Sequence, residues 1–97
     1  MIISTWNINS VRIRLELIST WIEKRDPQII LLQEIKCQNE DFPFEFFTKL
    51  DFDAHVYGQK GKNGVAILVK KNLKNVNDKI LKIDFLNNSD ARVIKIY

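Results

Sequence analysis

Glu34 is the first residue in this chain to suggest chemistry, because it follows directly on the apolar run Ile29-Ile30-Leu31-Leu32-Gln33. A lone carboxylate at a strand end is ordinarily just solvated. One carried by a rigid strand has a fixed position, however, and carboxylate oxygens suit a hard divalent cation. Mg²⁺ takes one or two protein carboxylates and completes its shell with water and phosphate. Asn7 and Asn9 stand two residues apart in an extended segment, so their amides lie on one side of it. Asparagines in a turn after a strand are commonly structural. Arg12 and Lys36 follow these positions closely, and solvated surface charge is the usual reading of such cations. The stretch Gly58-Gln59-Lys60-Gly61-Lys62-Asn63-Gly64 is a basic, glycine-rich turn.

These residues need elements to hold them. Ile2 to Trp6 reads as a short buried strand, β-branched and apolar. Ser10 is placed to cap a helix from Val11 to Lys24, whose Val11, Leu15, Ile18 and Ile22 repeat at helical spacing. Asp26-Pro27 ends it, since proline disfavours a helical residue before it. Gln28 to Gln33 reads as a strand covered on both faces. Strand, helix and strand at this spacing make a βαβ unit with parallel strands. Asn7 and Glu34 then fall at the carboxyl ends of neighbouring strands, the edge where open α/β sheets bind ligands.

Phe42-Pro43 opens a short helix to Leu50, with Phe44, Phe46 and Phe47 read as core packing rather than a nucleotide stack. Asp53 to Tyr57 and Val65 to Val69 read as a hairpin with a long basic tip. Leu81 to Phe85 and Arg92 to Tyr97 read as two more strands. Five or six strands with two helices cannot cover both faces of such a sheet. The expectation is an α/β (α+β) domain, residues 1–97 forming its N-terminal part, incomplete at the C-terminus.

Composition sets wider bounds. Hydrophobic residues make up 45% of the 97 and charged residues 28%, which suits a folded chain rather than a disordered one. Net charge is +3, but seven lysines and one acid lie between Lys60 and Lys82. That half is a candidate phosphate-facing surface or simply a solvated face. The single cysteine, Cys37, rules out an intrachain disulfide and fits a reducing compartment. The longest apolar run is far too short to span a bilayer. A soluble, cytoplasmic chain without a membrane partner is expected.

Three segments together resemble the exonuclease III branch of the endonuclease/exonuclease/phosphatase superfamily: Thr5-Trp6-Asn7-Ile8-Asn9-Ser10-Val11-Arg12, then Leu31-Leu32-Gln33-Glu34-Ile35-Lys36-Cys37, then Tyr57 through the glycine-rich turn to Leu68. The resemblance implies the first part of a four-layer α/β sandwich and a Mg²⁺-dependent phosphodiesterase, with Mn²⁺ an alternative ion. It implies action on double-stranded DNA at abasic sites or 3′ ends. By the same resemblance Glu34 binds the metal and, with Asn7, forms the catalytic pair. Asn9 arranges metal-bound water and Gln33 supports the site from behind. Arg12, Lys36, Gln59, Lys60, Gly61 and Lys62 meet the DNA.

The chain departs from the family pattern at two positions. Ile35 replaces a hydroxyl-bearing residue, and Asn63 stands where relatives carry an aromatic, which weakens any wedge role there. His55 and Cys37 read as ordinary residues. Family catalysis further requires an Asp-x-Asn segment, an Asp-His pair and a later tyrosine, and none lies in residues 1–97. The isolated chain is therefore expected to be inactive. The alternatives are a non-catalytic DNA-binding remnant and half of a split enzyme completed by a separate C-terminal piece.

Overall fold

Burial alternates along Ile3–Asn7 and Ile29–Gln33, as the pleat of a strand imposes, whereas Val65 to Val69 is buried throughout. In the computed structural model, which describes residues 1–73, 80–82 and 94–96, β1 (Ile3–Asn7), β2 (Ile29–Gln33), β3 (Phe52–Tyr57) and β4 (Val65–Lys70) form one sheet in the order β1-β2-β4-β3. The expected βαβ unit is present: β1 pairs with β2 in parallel, with Asn7 beside Gln33. β4 runs antiparallel to both β2 and β3, with Val65 beside Gln33 and Tyr57. The carboxyl ends of β1, β2 and β3 and the amino end of β4 therefore meet at one sheet end.

One face carries the core. Ile30 and Leu32 of β2, Phe52 and Val56 of β3, and Ala66 and Leu68 of β4 are buried in a single cluster. Ile18 and Ile22 of helix α1 (Leu15–Arg25) and Phe47 of helix α2 (Phe44–Lys49) join it. Each such side chain contributes about 1.5–3 kcal/mol by leaving water. Trp6 sets its ring edge-on to Trp21 of α1, 5.5 Å between centroids. Phe42 stacks on Phe47 at 5.4 Å. The phenylalanine cluster is packing, as expected, although Phe44 stays 42% exposed.

The other face is less covered than the sequence suggests. Ile3, Thr5 and Asn7 are exposed and Ile29, Leu31 and Gln33 only half-buried. Among the described residues β1 has a neighbour on one side only, so the expectation of two buried strands holds for one face of β2 and not for β1. A separate ribbon of β5 (Ile80–Lys82) and β6 (Ile94–Ile96) lies with β6 against β3 and β4. Between them is an open cavity of about 290 Å³ lined by Leu31, Val65, Ile67 and Ile94. The remainder of the expected strands Leu81–Phe85 and Arg92–Tyr97 lies outside the described residues.

The helix after β1 starts later than expected. Val11–Ile13 is a 3-10 turn closed by Arg14 N–H donating to the Val11 carbonyl at 3.1 Å. Ser10 has φ 81 and its hydroxyl caps nothing. Arg14 breaks the run with φ −115, and its Nε donates to the Ile8 carbonyl at 3.2 Å. The α-helix begins only at Leu15 and stops at Asp26, left-handed at φ 46 just before Pro27. No helix among the described residues is long and apolar enough to cross a membrane.

Candidate active site

Asn7 is the last residue of β1 and points to the exposed face. Its strand partner is Gln33, so a continued β2 would turn Glu34 to the opposite side. Glu34 instead adopts a left-handed backbone, φ 55, which returns its carboxylate towards Asn7. Asn7 Nδ2 donates to Glu34 Oε2. The two residues that the sequence set at neighbouring strand ends are in direct contact.

Three loops lock this conformation. Ser10 N–H donates to the Glu34 carbonyl at 2.9 Å and Val11 N–H to Ile35 at 3.1 Å. From the other side, Ile35 N–H donates to the Gly64 carbonyl at 3.1 Å and Lys36 N–H to Asn63 at 2.9 Å. Ile35 is wholly buried. It supplies an apolar anchor between the charged residues Glu34 and Lys36. Positive φ values recur here, at Asn9, Ser10, Glu34, Lys36 and Asn63. For side-chain-bearing residues that conformation costs about 1–2 kcal/mol each, and such outliers gather at functional sites.

The remaining expected site residues divide. Lys36 Nζ donates to Asn9 Oδ1 at 2.5 Å and stands 3.9 Å from Glu34 Oε1. Asn9 thus presents its oxygen to an ammonium, and Lys36 points into the site. Gln33 Nε2 donates to Thr5 Oγ1 at 2.9 Å and to the Leu31 carbonyl at 3.0 Å. It braces the sheet face, not the Glu34 carboxylate. Arg12 is exposed on the 3-10 turn, close enough to Cys37 for its charge to act on the thiol. Burial pushes the Cys37 thiol up, against a smaller downward pull from Arg12, with Asp41 adding a further rise. Among the described residues no three His, Cys, Asp or Glu side chains gather as a metal cage. A single carboxylate beside an amide suits a Mg²⁺ that keeps most of its shell for water and phosphate.

The glycine-rich turn sits beside these residues. Gln59 N–H donates to the Cys37 carbonyl at 3.0 Å, while Lys60, Gly61 and Lys62 are exposed at the tip. Asn39, which the sequence reading passed over, clips the turn: its Oδ1 accepts from Gly58 N–H at 2.5 Å, and its Nδ2 donates to the Val56 carbonyl. Nothing around Asn39 in the sequence signals this role. Asn63 donates from Nδ2 to Gln59 Oε1 at 3.2 Å. The Asn63-Gly64 pair, both at positive φ, closes the turn that the sequence predicts over residues 58–64.

The described lysines of the basic second half do not form one surface. Lys70 pairs with Asp26 at 3.8 Å and lies over the Phe52 ring, and Lys71 pairs with Asp53 at 3.9 Å. Lys70 ends β4 and Lys71 follows it, at the far end of the sheet from Glu34. Lys74 and Lys79 lie outside the described residues.

A mixed sheet with helices on one face and an amide–carboxylate pair at its end defines an α/β fold with a candidate site at the sheet end. A model of the Endonuclease/Exonuclease/phosphatase family matches residues 4–93, and the chain belongs to that family. It is 43% identical over 70 residues to the exodeoxyribonuclease III of Haemophilus influenzae, spanning 72% of this chain and 26% of that protein. The fold superposes with a TM-score of 0.80 and 32% identity on an AP endonuclease from Archaeoglobus fulgidus, covering 99% of this chain and 37% of that one. It also superposes with a TM-score of 0.80 and 30% identity on the 3′ phosphatase NExo from Neisseria bound to a product DNA hairpin, covering 97% and 36%. The chain thus spans about a quarter to a third of its relatives' lengths.

Proposed function

We propose that this chain is the N-terminal part of an exodeoxyribonuclease III-type DNA-repair nuclease of the cytoplasm. The parent activity is hydrolysis of phosphodiesters in duplex DNA, at abasic sites and from 3′ ends, and the 97 residues alone do not turn over. The hydrogen bond from Asn7 to Glu34 carries this reading. It fixes one carboxylate oxygen and leaves the carboxylate, 43% exposed, open to solvent and substrate. A Mg²⁺ or Mn²⁺ ion held at Glu34 would polarise the phosphate and stabilise charge on the leaving oxygen.

The chain's own residues do the positioning. Asn7 holds the carboxylate and offers an uncharged amide where a phosphoryl oxygen would lie. Lys60 and Lys62, exposed at the turn, supply sequence-independent, salt-sensitive attraction to the DNA backbone. The names of the relatives, an exodeoxyribonuclease III, an AP endonuclease and a 3′ phosphatase bound to a product DNA hairpin, support the substrate class.

The half-covered sheet face favours a second element, completion by a separate C-terminal piece. Ile3 stands 59% exposed at its edge, and the cavity beside Leu31 and Ile67 is apolar-walled. The test assays the chain with Mg²⁺ on a duplex carrying one abasic site, alone and co-expressed with a C-terminal segment that carries Asp-x-Asn and Asp-His. Expected are no cleavage alone, and cleavage by the complex that Glu34→Ala abolishes. Turnover by the chain alone that needs Glu34 would overturn the inactivity. A co-purifying complex without activity would overturn the nuclease assignment, and activity indifferent to Glu34 would overturn the role of that carboxylate.

A further inference from the structure

Among the described residues, Lys36 is the charged side chain that turns inward between the site's own acceptors. Its ammonium lies 2.5 Å from Asn9 Oδ1 and 3.9 Å from Glu34 Oε1. Its backbone is fixed by the hydrogen bond to Asn63 and by a left-handed φ of 56, and only a third of the side chain is exposed. An ammonium in that position takes the oxygens that a hard divalent cation would use.

We propose that Lys36 is a positioning residue that acts as an internal counter-ion, occupying the Glu34–Asn9 acceptors and setting how tightly the site takes a divalent cation. The proposal rests on the reading that Glu34 is the metal carboxylate. A fixed positive charge some 4 Å from the carboxylate repels an incoming divalent ion and satisfies the acceptors in its absence. The partial exposure of both side chains keeps the repulsion near its water-screened strength, so removing the charge should tighten binding about tenfold at low ionic strength.

The experiment titrates the full chain with Mn²⁺ by electron paramagnetic resonance and calorimetry, for wild type, Lys36→Met, Lys36→Gln and Lys36→Arg, with circular dichroism on each. Expected is Mn²⁺ binding about tenfold tighter in both neutral variants and unchanged in Lys36→Arg. The advantage should shrink as salt approaches 1 M, where screening extends only about 3 Å. A purely structural role for Lys36 would not give that salt dependence. Wild-type binding that is lost in Glu34→Ala but equal in all Lys36 variants overturns the counter-ion role and leaves the metal reading standing. Absence of Mn²⁺ binding in wild type and variants alike overturns both.

Discussion

Gly58→Ala should be far more damaging than its location in a surface turn suggests. A Cβ at Gly58 would lie 2.3 Å from the Cys37 carbonyl oxygen and 2.9 Å from both the backbone nitrogen and the Oδ1 of Asn39. Two of these three atoms are backbone, so no rotamer change can clear them, and the hairpin must lift from residues 37–39. Lifting it breaks the Gly58–Asn39, Asn39–Val56 and Gln59–Cys37 hydrogen bonds. At about 1 kcal/mol net for each, the loss is about 3 kcal/mol, a large share of a domain stability of about 5–15 kcal/mol. Gly61 is the internal control: its φ is 73 and nothing lies within 4 Å of an added Cβ. Gly61→Ala should therefore cost only the left-handed penalty, about 1–2 kcal/mol. Urea unfolding of the two variants beside wild type measures both values. Equal destabilisation by the two substitutions would refute the claim that the turn is seated on the Cys37–Asn39 backbone.

Three further outcomes follow from the same geometry. Burial raises the Cys37 thiol above its ordinary 9.0, so above that pH the unfolded chain loses a proton that the folded chain keeps. Stability should then fall as pH rises from about 9 towards the raised value, and Cys37→Ala should flatten this part of the profile in thermal unfolding at graded alkaline pH. Lys60→Ala and Lys62→Ala should each weaken duplex binding and lower the slope of log affinity against log salt by about one. Lys70→Ala, at the other end of the sheet and paired with Asp26, should leave that slope unchanged in fluorescence anisotropy titrations.

The parts of the molecule that depend on side-chain periodicity were legible in the sequence. The parallel pairing of β1 with β2, the helix between them and the β3–β4 hairpin follow from apolar spacing and from Asp26-Pro27. So does the placement of Asn7 and Glu34 at one sheet end. The destinations of lysines were not legible, because a count of charges carries no topology. Lys60 and Lys70 lie ten residues apart, yet β4 runs antiparallel and carries Lys70 the length of the sheet away. The break at Arg14 was hidden for another reason. Val11 keeps helical spacing with Leu15 and Ile18 whether the first turn is 3-10 or α, and all of them join or pack against the same core. What separates the two is the Arg14 side chain reaching back to the Ile8 carbonyl, a contact with no periodic trace.

The left-handed residues show why the site itself resists a purely local reading. Nothing in the residue types of Glu34 or Lys36 asks for positive φ, and the conformation is imposed by neighbours distant in sequence. Each such residue costs about 1–2 kcal/mol. The four backbone hydrogen bonds joining residues 34–36 to Ser10, Val11, Asn63 and Gly64 each return about 1 kcal/mol. The balance is close, so no single loop can hold the turn at Glu34 alone. Gly64 makes the dependence sharper: a Cβ there would come within 2.6 Å of the buried Ile35 side chain, so the hairpin can approach only with glycine in that position. The orientation of the Glu34 carboxylate towards Asn7 is therefore a property of three loops acting together. Detaching the hairpin, with no change to either residue, should let Glu34 relax to extended backbone and swing its carboxylate to the opposite face of the sheet from Asn7.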